Sequence, residues 1–297
     1  MTKPAGEPAG LIPQPETTSQ GQTFEGRPLA RPHDEVVDQG AAFDVTTVIN
    51  RRRAIKLLGL GAGAFALAAC TAQGSPSSSQ PPIGGSSMLD TPEEIAGPFP
   101  GDGSNGIDVL DRSGIVRQDI TSSIGGGRAV AGVPLVIALT ITDAGNGGLP
   151  VSDAAVYVWQ CDSRGGYSMY SPGLETETYL RGVQQVDSSG TATFASVFPG
   201  CYPGRWPHVH FEVYPRLESV TGSQDPVLTS QLALPESISR EVYGQASYEG
   251  SLENLDQLSL ATDIVFGDDS AALQTANVTG SPGGGLSAAL EVRLGAR

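Results

Sequence analysis

The stretch PGCYPGRWPHVHF, residues 199–211, contains His208 and His210, two of the three histidines in a 297-residue chain. In an extended strand, residues i, i+2 and i+4 share a face, so His208, His210 and Glu212 project together while Val209 and Phe211 point the other way. Two imidazoles on one face serve as polar surface, as a satisfied core pair or as metal ligands. Their neighbourhood favours a metal. Arg205 stands three residues before His208 and Tyr202 three before that, in a stretch stiffened by Pro199, Pro203 and Pro207. A guanidinium would repel a bare histidine pair and would be useful beside a metal-bound anion. Upstream, VYVWQCDSRGGYSMY runs an apolar segment into a Gly-rich turn that ends on Tyr167.

The elements that must position these residues read as strands. The segments 133–141, 154–162, 191–199, 208–215 and 286–294 are short, apolar and rich in β-branched residues. Gly-, Asp- and Asn-rich turns separate them, and only 235–244 reads as a short helix, closed by Gly244. The expected fold is all-β, an antiparallel β-sandwich with long loops and little helix. No internal repeat is present.

The first 49 residues have a polar, Pro- and Gly-rich composition that reads as an unfolded leader. Residues 50–70, NRRRAIKLLGLGAGAFALAAC, begin like a twin-arginine export signal, with Ala54 where Phe is usual. The apolar run 57–69 is shorter than the roughly 20 residues a spanning helix needs, which suits a signal peptide better than an anchor. It ends Leu67-Ala68-Ala69-Cys70, which resembles a bacterial lipobox, so Cys70 is the expected lipidation site. Residues 71–90 then form a flexible tether and 91–297 the folded domain. The expected location is the outer face of the bacterial cytoplasmic membrane, held only by the lipid anchor. Residues 1–70 carry seven basic and seven acidic residues, which leaves the whole net charge of −15 on the remainder. No lysine follows Lys56. That acidity argues against nucleic acid or anionic lipid as a partner.

Three motifs together, W-Q-C-D-x-x-G-x-Y-S, Y-L-R-G-V-Q-x-x-D-x-x-G-x-x-x-F and P-G-x-Y-x-x-R-x-x-H-x-H-F, resemble the intradiol ring-cleavage dioxygenases, non-haem Fe(III) enzymes that open catechols between their hydroxyls. The similarity spans about residues 91–290 and opens on the Gly-Pro-Phe of residues 97–99. It implies four ferric ligands, Tyr167, Tyr202, His208 and His210, with Tyr202 axial and displaced by substrate. It also implies Arg205 as the residue steadying charge on the ring and matches Gln231, in Leu-Thr-Ser-Gln, to a glutamine that sits behind the family's ligands. Hard phenolate donors favour ferric iron. The implied substrates are a small aromatic diol and dioxygen. Cys161 and Cys201 flank the segments bearing the two tyrosines, and in an oxidising compartment they are expected to bridge. Two other readings remain open: a ferrous site built on His208, His210 and Glu212, and a tethered β-sandwich that binds a ligand without turnover. The family's cytosolic members carry a helical dimerisation segment before the catalytic domain; here the tether fills that place, so no dimer is carried over.

Overall fold

The computed structural model describes residues 89–220 and 226–295, together with three short strands near the N-terminus. The signal at 50–70, Cys70 and nearly all of the tether lie outside the described residues. Within the leader, β1 (Glu16–Thr18), β2 (Gly21–Phe24) and β3 (Arg27–Pro28) pair as an antiparallel meander, where composition predicts no structure.

Two sheets form the domain. One contains β4 (Pro134–Asp143), β5 (Leu149–Pro150), β8 (Thr191–Val197), β11 (Asn277–Ser281) and β12 (Gly285–Leu294). The other has the order β10-β9-β6-β7, from β6 (Ala155–Trp159), β7 (Arg181–Gln185), β9 (His208–Tyr214) and β10 (Leu228–Ala233). Helix is scarce: α1 (Glu236–Tyr243), α2 (Ser251–Leu255) and a few single turns. The mostly-sheet, two-layer expectation holds, but the sheet containing β4 and β12 is mixed rather than purely antiparallel. β12 runs parallel to β4 from Leu286↔Leu135 to Leu294↔Asp143. A parallel pair needs a crossover rather than a tight turn, and the long helical and looped excursion after β10 supplies it.

Between the sheets lies the main core. Leu135, Ile137, Leu139 and Ile141 of β4 alternate inward and meet Val156, Val158, Val209, Phe211 and Val213. Each such side chain, fully buried, contributes about 1.5–3 kcal/mol of transfer free energy. The second sheet is also covered on its outer face. There Tyr157, Trp159, Val183 and Tyr214 pack under loops carrying Phe99, Tyr167 and Met169. This explains why β6 and β9 are buried at every position. His208 and His210 project onto that outer, loop-covered face.

Candidate metal centre

β9 presents the imidazoles, and two turns bring up the phenols. The first turn follows β6. Asp162 Oδ1 accepts from the backbone N–H groups of Arg164 (2.9 Å) and Gly166 (3.0 Å), which folds the chain back so that Tyr167 points inward. The second precedes β9 and carries Tyr202. The two are locked backbone to backbone, since the Gly200 N–H donates to the Asp162 carbonyl at 2.9 Å. Their closeness demands glycine. A Cβ on Gly200 would lie 2.8 Å from the Ser163 carbonyl oxygen, and one on Gly165 (φ +84) 3.0 Å from Tyr202 Cβ. From α2, Ser251 Oγ accepts from the Cys201 N–H and Asn254 Nδ2 donates to the Cys201 carbonyl, fixing the segment that bears Tyr202.

These supports bring the four ligand candidates together. Tyr167 Oη lies 3.4 Å from Tyr202 Oη and 3.4 Å from His208 Nε2. Tyr202 Oη is 3.3 Å from His208 Nε2, which is 3.0 Å from His210 Nε2. Donor atoms at such separations are what one ion with bonds of roughly 2 Å requires of its ligands. Among the described residues no cluster of three His, Cys, Asp or Glu side chains could hold a metal, so phenol oxygens are needed to complete a ligand set.

Electrostatics prepares the group. Burial, then the neighbouring Tyr202, pushes the Tyr167 phenol well above its ordinary range. Burial raises Tyr202 to about 12 although Arg205 pulls the other way. Burial and the Arg205 charge lower His208 to about 3, and burial, His208 and Arg205 lower His210 as well. Two neutral imidazoles with free electron pairs and two phenols that ionise only against a cation form a donor set for a hard metal. The residues present fit ferric iron.

The histidines are oriented differently. His208 Nδ1 meets the Trp206 carbonyl. His210 Nδ1 is buried with no partner among the described residues, and its ring lies flat on Trp159 instead. Gly97, at φ +76, passes so close that a Cβ there would sit 3.4 Å from His210 Cε1. Phe99 packs on Tyr167 with centroids 4.8 Å apart.

Arg205 and Gln231 stand together, with Arg205 Nη2 donating to Gln231 Oε1 at 2.6 Å and Gln231 Nε2 donating to the Ile95 carbonyl at 2.9 Å. The acidic partner of Arg205 is Asp263, whose Oδ2 accepts from Nε at 3.0 Å and from the Trp206 N–H at 2.7 Å. Sequence reasoning does not reach Asp263; nothing in its local sequence marks it. Glu212 shares the histidine face, but its carboxylate accepts from Tyr214 Oη at 2.8 Å and Thr229 Oγ1 at 3.4 Å. The expected disulfide is not formed. Cys161 and Cys201 are free and buried, because each thiol turns to a backbone carbonyl, Cys161 to Gly200 and Cys201 to Arg205, both at 3.5 Å.

Residues 111–215, which contain Tyr167, Tyr202, Arg205, His208 and His210, match a family model described as Dioxygenase. That segment of the chain is similar to this family. Among solved structures, the domain is similar in fold to one described as an intradiol ring-cleavage dioxygenase from Tetranychus urticae, at 23% identity and a TM-score of 0.53, over 70% of this chain and 95% of that one. A second structure, described as a dioxygenase, matches at 23% identity and a TM-score of 0.54, over 70% of this chain and 94% of the other. No curated protein sequence matches the chain.

Proposed function

We propose that this protein is an exported Fe(III) intradiol dioxygenase. It would cleave a catechol-type ring between its two hydroxyls, incorporating both atoms of dioxygen to give a muconate-type diacid. The convergence of Tyr167 Oη, Tyr202 Oη, His208 Nε2 and His210 Nε2 within 3.0–3.4 Å carries this reading. When bound, ferric iron supplies a Lewis acid that binds the diol as a dianion and makes its ring reactive toward dioxygen.

The chain's residues do the rest. His208 and His210 enter as neutral donors, so no proton need leave them. Tyr167 is 1% exposed whereas Tyr202 is only partly buried, so Tyr202 would be the phenol that gives way to the incoming diol. Tyr202 Oη, a phenolate while the metal is held, would take one of the diol's two protons, and the other would pass to solvent. Arg205, held by Asp263 and Gln231, keeps its guanidinium beside the site and stabilises negative charge on the ring. The loop at Gly97 and Phe99 covers His210 and Tyr167 and excludes water from that side. A ferrous site using Glu212 is disfavoured, since that carboxylate is already engaged by Tyr214 and Thr229.

Export follows from the leader, whose twin-arginine-like signal and Cys70 lipobox would place the domain outside the cell on a tether. There the substrate would be an extracellular aromatic diol. The deciding experiment is a visible spectrum of residues 71–297 with iron quantified, before and after anaerobic catechol, followed by air. A red ferric-tyrosinate colour that shifts with catechol, then ring-opened product, is the expected outcome. Protein that stays colourless after ferric iron is supplied sinks the proposal.

A further inference from the structure

Arg181, the first residue of β7, is 1% exposed and takes part in no ion pair among the described residues. Its guanidinium is satisfied by neutral oxygens alone. Nε donates to Ser168 Oγ (3.0 Å), Nη1 to the Pro100 carbonyl (2.7 Å) and Tyr157 Oη (3.1 Å), and Nη2 to the carbonyls of Phe99 (2.9 Å) and Ser168 (3.0 Å). Those contacts use all five N–H groups of the fork. A cation buried without a counter-charge is a costly way to fill a core position, so its geometry calls for an explanation.

The acceptors come from three segments that meet at the proposed metal centre. Ser168 immediately follows Tyr167. Phe99 and Pro100 belong to the loop whose Gly97 lies against His210 and whose Phe99 ring lies on Tyr167. Tyr157 stacks on Trp159, which stacks on His210 and is also paired with Arg181 across the sheet. The close approach is built in: a Cβ on Gly101 would fall 2.9 Å from Arg181 Nη1. The Tyr170 ring, itself 5.3 Å from the Phe99 ring, faces the guanidinium at 5.3 Å.

We propose that Arg181 is a positioning residue: its fork ties the turn bearing Tyr167 to the Phe99–Pro100 loop and to the sheet bearing His210, so that the Tyr167 oxygen is held at the metal-binding point. This rests on the proposed ferric site. An ordinary core cross-link would affect stability throughout the domain; a tether between these segments acts locally and on Tyr167.

The test compares Arg181→Lys with Ser168→Ala, a smaller change that removes only the acceptor of Nε. Lysine keeps the charge but presents three donors from one point and cannot reproduce the fork. In iron-free protein, hydrogen exchange of residues 97–103 and 166–171 is expected to quicken about tenfold or more in Arg181→Lys, and less in Ser168→Ala, while β4 and β12 keep wild-type protection. In iron-loaded protein the tyrosinate absorption band should shift, and kcat should fall about tenfold to a hundredfold with little change in KM. Uniform loss of protection across the domain, or wild-type exchange in both segments, overturns the inference. If wild-type protein takes up no iron, the ferric reading fails, and the exchange comparison still decides whether Arg181 is the tether.

Discussion

Trp159 lies flat on His210, with ring centroids 4.8 Å apart and the planes within 4° of parallel. The two residues face each other across the β6–β9 ladder, so the stack is set by strand register. It replaces the hydrogen bond by which a metal-binding imidazole is usually oriented. His208 has that bond, to the Trp206 carbonyl; His210 has no partner at Nδ1 among the described residues.

Removing the stack should therefore loosen one ligand. Trp159→Ala is expected to cost about 3–5 kcal/mol of stability through the cavity it leaves, and to weaken ferric binding about tenfold to a hundredfold. Trp159→Phe keeps an aromatic plate under the imidazole and should hold iron within about threefold of wild type. Competition with a chelator measures both, on protein shown by its melting curve to be folded. Equal affinity in wild type and the alanine variant refutes the orienting role of Trp159.

Asp263 supports a second prediction, with a pH signature. Burial alone would raise its carboxyl. The Arg205 charge and the backbone N–H groups of Trp206, Phe266 and Val265 outweigh burial and hold it below the ordinary carboxylate range. A group whose folded pKa is depressed stabilises fully above its unfolded value, about 3.9, and loses that stabilisation as pH falls through the folded value. Asp263→Asn cannot titrate, so its stability between about pH 5 and pH 2 should fall less steeply than that of wild type. At neutral pH the same change removes the charge gripping Arg205 Nε and should raise KM for catechol about tenfold, with the iron colour unchanged. An acid limb parallel to that of wild type, or an unaltered KM, refutes the corresponding half.

The legible part of the site was its alternation and spacing. Two histidines separated by one residue must share a strand face, and the Gly-rich turn after Asp162 was enough to suggest that Tyr167 arrives from a loop, whereas Tyr202 entered the ligand set through the resemblance. Contacts made across the fold left no such trace. Asp263 meets Arg205 across 58 residues, and Arg181 reaches Phe99 across 82. β7, with the sequence RGVQQ, shows little apolar alternation because its first three residues are buried on both faces of a covered sheet. The parallel pairing of β12 with β4 was equally hidden, since alternation reports which face is buried and says nothing about strand direction.

The cysteines give the last prediction, because proximity in sequence to two converging tyrosines suggested a bridge that the structure does not contain. Cys161 and Cys201 are 1% and 3% exposed. Burial pushes the Cys161 thiol far above its ordinary range, with Asp162 and Cys201 adding to the rise; burial and then Asp263 push Cys201 up to about 12. The thiolate is the reactive form, so neither cysteine should react with a thiol reagent in native protein at neutral pH. After denaturation without reductant, residues 71–297 should release two reactive thiols per chain. Finding none would mean that the two sulfurs pair, and that the turns bearing Tyr167 and Tyr202 are joined covalently as well as through the Gly200 N–H.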